Sequence, residues 1–137
     1  MNTYNFNDES FKTTTTYKNF VTTNPGIGYL KIRAYGASGA IPISNLKIIV
    51  SKIIDNNTII FYEGITNSSG IIEKISLPTP KSNQNDEENP KYTTYDIKAI
   101  YQEKAMTNNY SVNMYENIYV IQTINVVPSM NVISGGN

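Results

Sequence analysis

Short segments in which apolar and polar residues alternate follow one another along most of the chain. In residues 28–35, the apolar positions Leu30, Ile32 and Ala34 are separated by Lys31 and Arg33. This period of two is typical of a strand that is buried on one face. The same reading predicts strands over residues 28–35, 46–52, 58–62, 71–77, 95–101 and 119–127.

Turn residues separate these segments and indicate the fold class. Asp55-Asn56-Asn57 predicts a hairpin, and Asn67-Ser68-Ser69-Gly70 predicts a second tight turn. No long segment keeps the period of 3.6 residues that an amphipathic helix needs. We therefore predict an all-β fold, a single antiparallel β-sandwich of about seven strands.

The two ends of the chain differ from the middle. Residues 1–27 form a polar leader rich in Thr and Asn, including Thr13-Thr14-Thr15-Thr16. We predict that it is partly disordered or adds one strand, over residues 14–21. Residues 129–137 end in Ser-Gly-Gly-Asn and are predicted to be a flexible tail. The predicted sandwich domain is residues 28–128.

Composition removes several function classes. The 137 residues contain 11 basic and 11 acidic side chains and no Cys, His or Trp. Thiol chemistry, disulfides, zinc sites built from Cys and His, and triads with a His base are therefore excluded. Zero net charge gives no basic surface of the kind that binds nucleic acid. We expect a protein that is not an enzyme and needs no cofactor or metal.

The sequence also predicts the cellular location of the protein. The first residues lack the basic start and apolar run of a secretory signal peptide. No apolar stretch approaches the roughly 18 residues that a membrane-spanning helix needs. We expect a cytoplasmic protein that does not bind membranes.

Five short motifs follow one another in a recognisable order. They are Gly28-Tyr29-Leu30-Lys31-Ile32, Pro42-Ile43-Ser44-Asn45-Leu46-Lys47-Ile48, Thr66-Asn67-Ser68-Ser69-Gly70, Leu77-Pro78-Thr79-Pro80 and the run from Pro90 through Tyr92 and Tyr95 to Ile97. This order resembles the carboxypeptidase-regulatory-like, prealbumin-like β-sandwiches. Leu46 stands where Ala is commoner in such domains. The resemblance implies a prealbumin-like (Ig-like) Greek-key sandwich.

The last two motifs are also similar to the non-catalytic N-terminal region of clostridial spore cortex-lytic enzymes. The resemblance as a whole covers about residues 28–128, and the similarity to the non-catalytic region implies a module that helps to fold, hold or deliver a partner. The implied setting is a spore or a cell-wall-lytic system. A protein partner, or a second copy, would bind through an exposed sheet edge.

Tyrosines support an alternative partner, peptidoglycan or another carbohydrate. Aromatic rings stack on the apolar faces of sugars, but they also pack across neighbouring strands with their hydroxyls in water. Both interpretations remain open, and we favour packing. The candidate ligand-binding residues are Tyr92, Tyr101, Tyr110 and Tyr115.

Carboxylates are the remaining candidates for chemistry. Asp86-Glu87-Glu88 lacks the spacing of a calcium loop and is interpreted as a solvated loop. A glycan hydrolase needs two carboxylates across a sugar, and this is a second alternative. Since no particular pair stands out, we favour surface charges. The acids on or near predicted strands are Glu63, Glu73, Asp96, Glu103 and Glu116.

Overall fold

The computed structural model describes residues 1–82, 91–102, 104–105 and 109–126. The predicted tail, the Asp86-Glu87-Glu88 loop and Glu103 lie outside these residues. Two α-helices, α1 (Glu9–Lys12) and α2 (Thr15–Thr23), precede most of the strands. The described strands are β1 (Thr3–Asn5), β2 (Gly26–Gly36), β3 (Ile41–Pro42), β4 (Lys47–Ile54), β5 (Asn57–Ile65), β6 (Ile71–Thr79), β7 (Thr93–Tyr101), β8 (Lys104–Ala105), β9 (Tyr110–Met114) and β10 (Tyr119–Asn125).

The strands form two sheets. In the first sheet the order is β1-β5-β4-β7, and both β8 and β9 pair with β7. In the second sheet β2 is central, with β10 on one side and β6 and β3 as its other partners. Most neighbours are antiparallel, but β1 runs parallel to β5 and β10 runs parallel to β2. The last described strand therefore lies beside the first long strand.

The core lies between the two sheets. The inward positions of each strand alternate with outward ones, as in β2, where Leu30, Ile32 and Ala34 are fully buried. Tyr95 is also buried and donates its hydroxyl to the carbonyl of Pro78 at 2.6 Å, which links the sheets. The core also contains Leu46, Ile48, Val50, Ile75, Leu77, Ile97, Ala99, Met114 and Ile124.

The all-β sandwich is confirmed, and seven of the described strands have five or more residues. All six predicted strands are present, most of them longer than predicted. Strand β9 (Tyr110–Met114) was not predicted because its alternating pattern extends over only five residues. Among the described helices, none is long and apolar enough to cross a membrane.

The prediction of a strand over residues 14–21 is wrong, because this segment is mostly helix α2. The Thr14 side chain accepts a hydrogen bond from the backbone N–H of Tyr17 at 3.1 Å and so caps the helix. The added strand of the leader is β1 instead, which pairs Thr3–Asn5 with Thr58, Ile59 and Ile60 of β5. The β-branched threonines suggested a strand, but capping and aromatic packing favour the helix.

Aromatic side chains of the leader pack against the sandwich. Phe6 stacks on Phe61 of β5 with ring centroids 4.6 Å apart. Phe20 of α2 is 5.9 Å from Phe6 and 5.4 Å from Phe61, and it belongs to the buried core. Phe11 of α1 is buried as well and contacts Phe6 and Tyr17. These residues of the leader are therefore part of the folded unit.

Candidate functional site

Large apolar side chains are exposed together at one margin of the second sheet. Ile27 is 47% exposed, Ile118 50%, Tyr119 60% and Ile121 55%. Tyr29 lies in register with Tyr119 on the adjacent strand, so the side chains share the outer face. We call these five residues the β10 margin. An exposed apolar patch of this kind is typical of an interaction surface.

A stack of side chains runs across the β10 margin. The rings of Tyr29 and Tyr119 are stacked, with centroids 4.8 Å apart and planes 23° apart. Lys74 of β6 places its Nζ atom 5.2 Å from the centroid of Tyr29. Tyr29 is thus enclosed between a cation and a ring. Tyr119 is the outermost member of the stack.

The charged side chains next to the β10 margin, on strands β2 and β6, are mainly positive. Lys31, Arg33 and Lys74 lie on or beside the outer face of β2, and Lys31 is 3.8 Å from the carboxylate of Glu73. The guanidinium of Arg33 lies 5.2 Å from the ring centroid of Tyr35. Three cations and the carboxylate of Glu73 therefore lie in this region, although the whole chain is neutral.

The backbone of β10 has an open side. The N–H of Val126 donates to Tyr35 at 2.7 Å and the carbonyl of Ile118 accepts from Tyr29 at 3.0 Å, so even-numbered residues bond to β2. The N–H of Asn125 points the other way and donates to the hydroxyl of Tyr110 at 3.4 Å. Because alternate residues point in opposite directions, the N–H groups of residues 119, 121 and 123 face away from β2. No strand within the described ranges pairs with them.

Natural sheets protect such edges with charges, Pro or bulges. Strand β10, with the sequence Tyr-Val-Ile-Gln-Thr-Ile-Asn, contains no charged residue and no Pro. Its register with β2 is continuous over all seven residues, without a bulge. Within the described residues, β10 is therefore an edge without these protections, and Tyr119 and Ile121 are the apolar members of its outward side chains.

The four candidate tyrosines do not share one surface. Tyr92 and Tyr115 lie together, with centroids 5.4 Å apart and planes tilted by 50°. Tyr101 and Tyr110 are partly buried against the core. Tyr92 directly precedes β7 and Tyr101 is the last residue of that strand, so their backbones stand about 30 Å apart. Ligand binding by these residues stays a prediction, and the aligned pair of rings is Tyr29 with Tyr119.

Two of the candidate carboxylates form ion pairs with lysines. Glu63 is 2.7 Å from Lys47 and Glu73 is 3.8 Å from Lys31. Asp96 is exposed on β7. In the part of the chain that the structure covers, no three acids are grouped so that they could hold a metal ion.

Among the described candidate acids, Glu116 makes the most polar contacts. Its carboxylate accepts hydrogen bonds from the N–H and the hydroxyl of Ser82, at 2.8 and 2.9 Å, and lies 3.2 Å from Lys81. These hydrogen bonds, above all the one from the backbone N–H, lower the pKa of Glu116 from its ordinary value. The group is therefore a fixed anion that anchors the chain after β6.

An open depression of about 410 Å³ lies where β1 ends against β5. Asp8 and Glu63 are the carboxylates in its lining, beside Asn5 and Asn7. Since Glu63 is paired with Lys47, the depression does not present two free carboxylates to a sugar. It gives no support to glycan hydrolysis.

Comparisons with known proteins extend the fold assignment. No family model matches the chain, and no curated protein matches it. Among solved structures, the Bacillus anthracis TIE protein matches with a TM-score of 0.50 and 15% identity. The match covers 74% of this chain and 16% of that chain, so this chain corresponds to a small part of that protein.

Two further solved structures match with lower TM-scores. A 5-hydroxyisourate hydrolase from Klebsiella pneumoniae has a TM-score of 0.48 and 14% identity, over 74% of this chain and 91% of that chain. Transthyretin from Sparus aurata has a TM-score of 0.41 and 10% identity, over 71% of this chain and 90% of that chain. The likeness concerns the fold alone.

The β10 margin was not predicted from the sequence, which gave no reason to place Tyr29 beside Tyr119. The alternation in residues 28–35 showed that Tyr29 faces outward, but only the parallel pairing of β2 with β10 places it beside Tyr119. An uncharged last strand with outward Tyr and Ile was the signal available in the sequence.

Proposed function

We propose that this protein is a non-catalytic binding module that recruits an extended segment of another protein as an additional strand on β10. The observation that carries the proposal is the unprotected edge of β10 with exposed Tyr119 and Ile121 beside it. Main-chain hydrogen bonds would supply affinity, and alternate side chains would lie on the β10 margin. The association with a spore or cell-wall-lytic system is part of the proposal and rests on the sequence resemblance.

A second copy of the chain that pairs along the whole of β10 fits this edge poorly. In a symmetric antiparallel pair that overlaps all seven residues, Tyr119 would lie opposite Asn125 of the other copy. The Tyr119 ring would then face a polar side chain, and Tyr110 already occupies the N–H of Asn125. A different polypeptide can place an apolar side chain opposite Tyr119. We therefore commit to a heterologous partner.

Substitution at Thr123 tests this proposal. The N–H of Thr123 points to the open side, so Thr123→Pro removes an edge donor without removing a hydrogen bond to β2. Thr123→Ser is the matched control because it keeps the N–H and a hydroxyl. A photo-crosslinking amino acid at Ile121 in each variant would mark proteins of the producing organism that lie against β10.

We expect one protein to be crosslinked by the otherwise unchanged chain and by Thr123→Ser, with the attachment mapped to an extended segment of that protein. Thr123→Pro should lose the crosslink while its circular dichroism and thermal unfolding remain native. Equal crosslinking by Thr123→Pro would contradict the proposal. Retention on purified peptidoglycan that is unchanged by Thr123→Pro would favour the glycan alternative instead.

A further inference from the structure

We infer that the strand added to β10 carries an aromatic side chain opposite Tyr119 and acidic residues near it. This inference rests on the proposed function and specifies the chemistry of the partner. It follows from the geometry of the stack formed by Lys74, Tyr29 and Tyr119 and from the charges behind it.

The distance between the stacked rings matches the distance between neighbouring strands of a sheet. Tyr29 and Tyr119 are in register on neighbouring strands, and their centroids are 4.8 Å apart. Strands in a sheet are also about 4.8 Å apart. A side chain opposite Tyr119 on an added strand would therefore continue the stack at the same spacing. An aromatic ring fits that position in an offset-stacked arrangement.

Tyr119 is the member of the stack that lacks a second neighbour. Lys74 lies over one side of Tyr29, and Tyr119 lies over the other. On the far side of Tyr119 no described strand follows, and the residue is 60% exposed. A partner ring would cover the largest exposed aromatic surface of the β10 margin. Ile121, two residues along, favours an apolar side chain in the next outward row.

The charge pattern restricts the partner further. Strand β10 has no charged side chain, so it neither attracts nor repels a charged segment directly. Lys31, Arg33 and Lys74 lie on the neighbouring strands β2 and β6, and the carboxylate of Glu73 is 3.8 Å from Lys31. This excess of positive charge favours a partner with Asp or Glu over one with Lys or Arg.

A selection experiment tests the inference. A phage-displayed library of random linear 12-residue peptides is selected against the immobilised full chain, and the enriched peptides are synthesised. We expect them to contain one aromatic residue and an excess of acidic over basic residues. Isothermal titration then measures Kd for each peptide and for its aromatic-to-Val derivative.

A double-mutant cycle with Tyr119→Val locates the aromatic contact. We expect removal of the peptide ring to weaken binding to the unchanged protein more than it weakens binding to Tyr119→Val. The two effects should differ by about 2- to 12-fold, which is the range for one aromatic pair. Tyr119→Phe keeps the ring and should restore this coupling. A merely structural role for Tyr119 would not produce a coupling that depends on the peptide ring.

The outcomes distinguish the inference about the partner's aromatic side chain from the proposed function. Peptides that bind Thr123→Ser but not Thr123→Pro, and that show no coupling to Tyr119, would overturn the inference and leave the proposed function standing. Peptides that bind Thr123→Pro unchanged, or a library that yields no binder, would count against the proposed function. Coupling to Tyr119 together with sensitivity to Thr123→Pro supports both.

Discussion

Replacing Phe20 by Ala tests whether the leader belongs to the folded unit. Phe20 is 6% exposed and contacts the rings of Phe6 and Phe61. Removing a buried Phe side chain costs about 3–5 kcal/mol of unfolding free energy. Ala is the better helix former by about 0.5 kcal/mol, which offsets part of this in α2. We expect a net loss of about 3 kcal/mol.

Urea denaturation followed by circular dichroism measures this loss. At the usual urea dependence of about 1–3 kcal/mol per molar, the midpoint should fall by about 1–3 M. Asn19→Ala, on the exposed side of the same helix, is the control and should change stability by less than about 0.5 kcal/mol. A loss below about 1 kcal/mol for Phe20→Ala would refute the packing of α2 on the sandwich.

Three further substitutions probe other parts of the fold. Thr14→Ala removes the cap on the Tyr17 N–H and should cost about 1 kcal/mol in thermal unfolding, and no change would contradict the cap. Gly70→Ala should cost about 1–3 kcal/mol, because φ is +75° and the new Cβ would lie 2.4 Å from the Ala34 carbonyl; a neutral result would refute that geometry. The lowered pKa of Glu116 makes its contribution fully present above the ordinary value of 4.5 and lost as pH falls below it. Glu116→Gln should therefore lower the melting temperature near neutral pH, with the deficit shrinking in acid; a deficit independent of pH would contradict this.

The strands were predictable because their signal is local. The alternation of Leu30, Ile32 and Ala34 reflects burial of one face of β2, and the same holds for Tyr95 and Ile97 in β7. Such patterns depend only on neighbouring residues. The class of fold follows from many strands of this kind.

The leader and the candidate site depended on contacts between distant residues. Four consecutive threonines favour strand by propensity, but Phe20 reaches the core only when the segment is helical. The pairing of Tyr29 with Tyr119 required the parallel arrangement of β2 and β10. Strand order and direction are tertiary properties that period and composition do not encode.

Amide hydrogen exchange in β10 shows whether the outer edge of this strand is open. We expect the N–H groups of Ile121 and Thr123 to exchange rapidly in the isolated protein because they face the open side. Those of Val120 and Gln122 should exchange slowly because they bond to β2. Residue-resolved NMR would show this alternation, and a bound partner strand should protect Ile121 and Thr123. Equal protection of all four amides in the isolated protein would show that the edge is already occupied and would contradict the account.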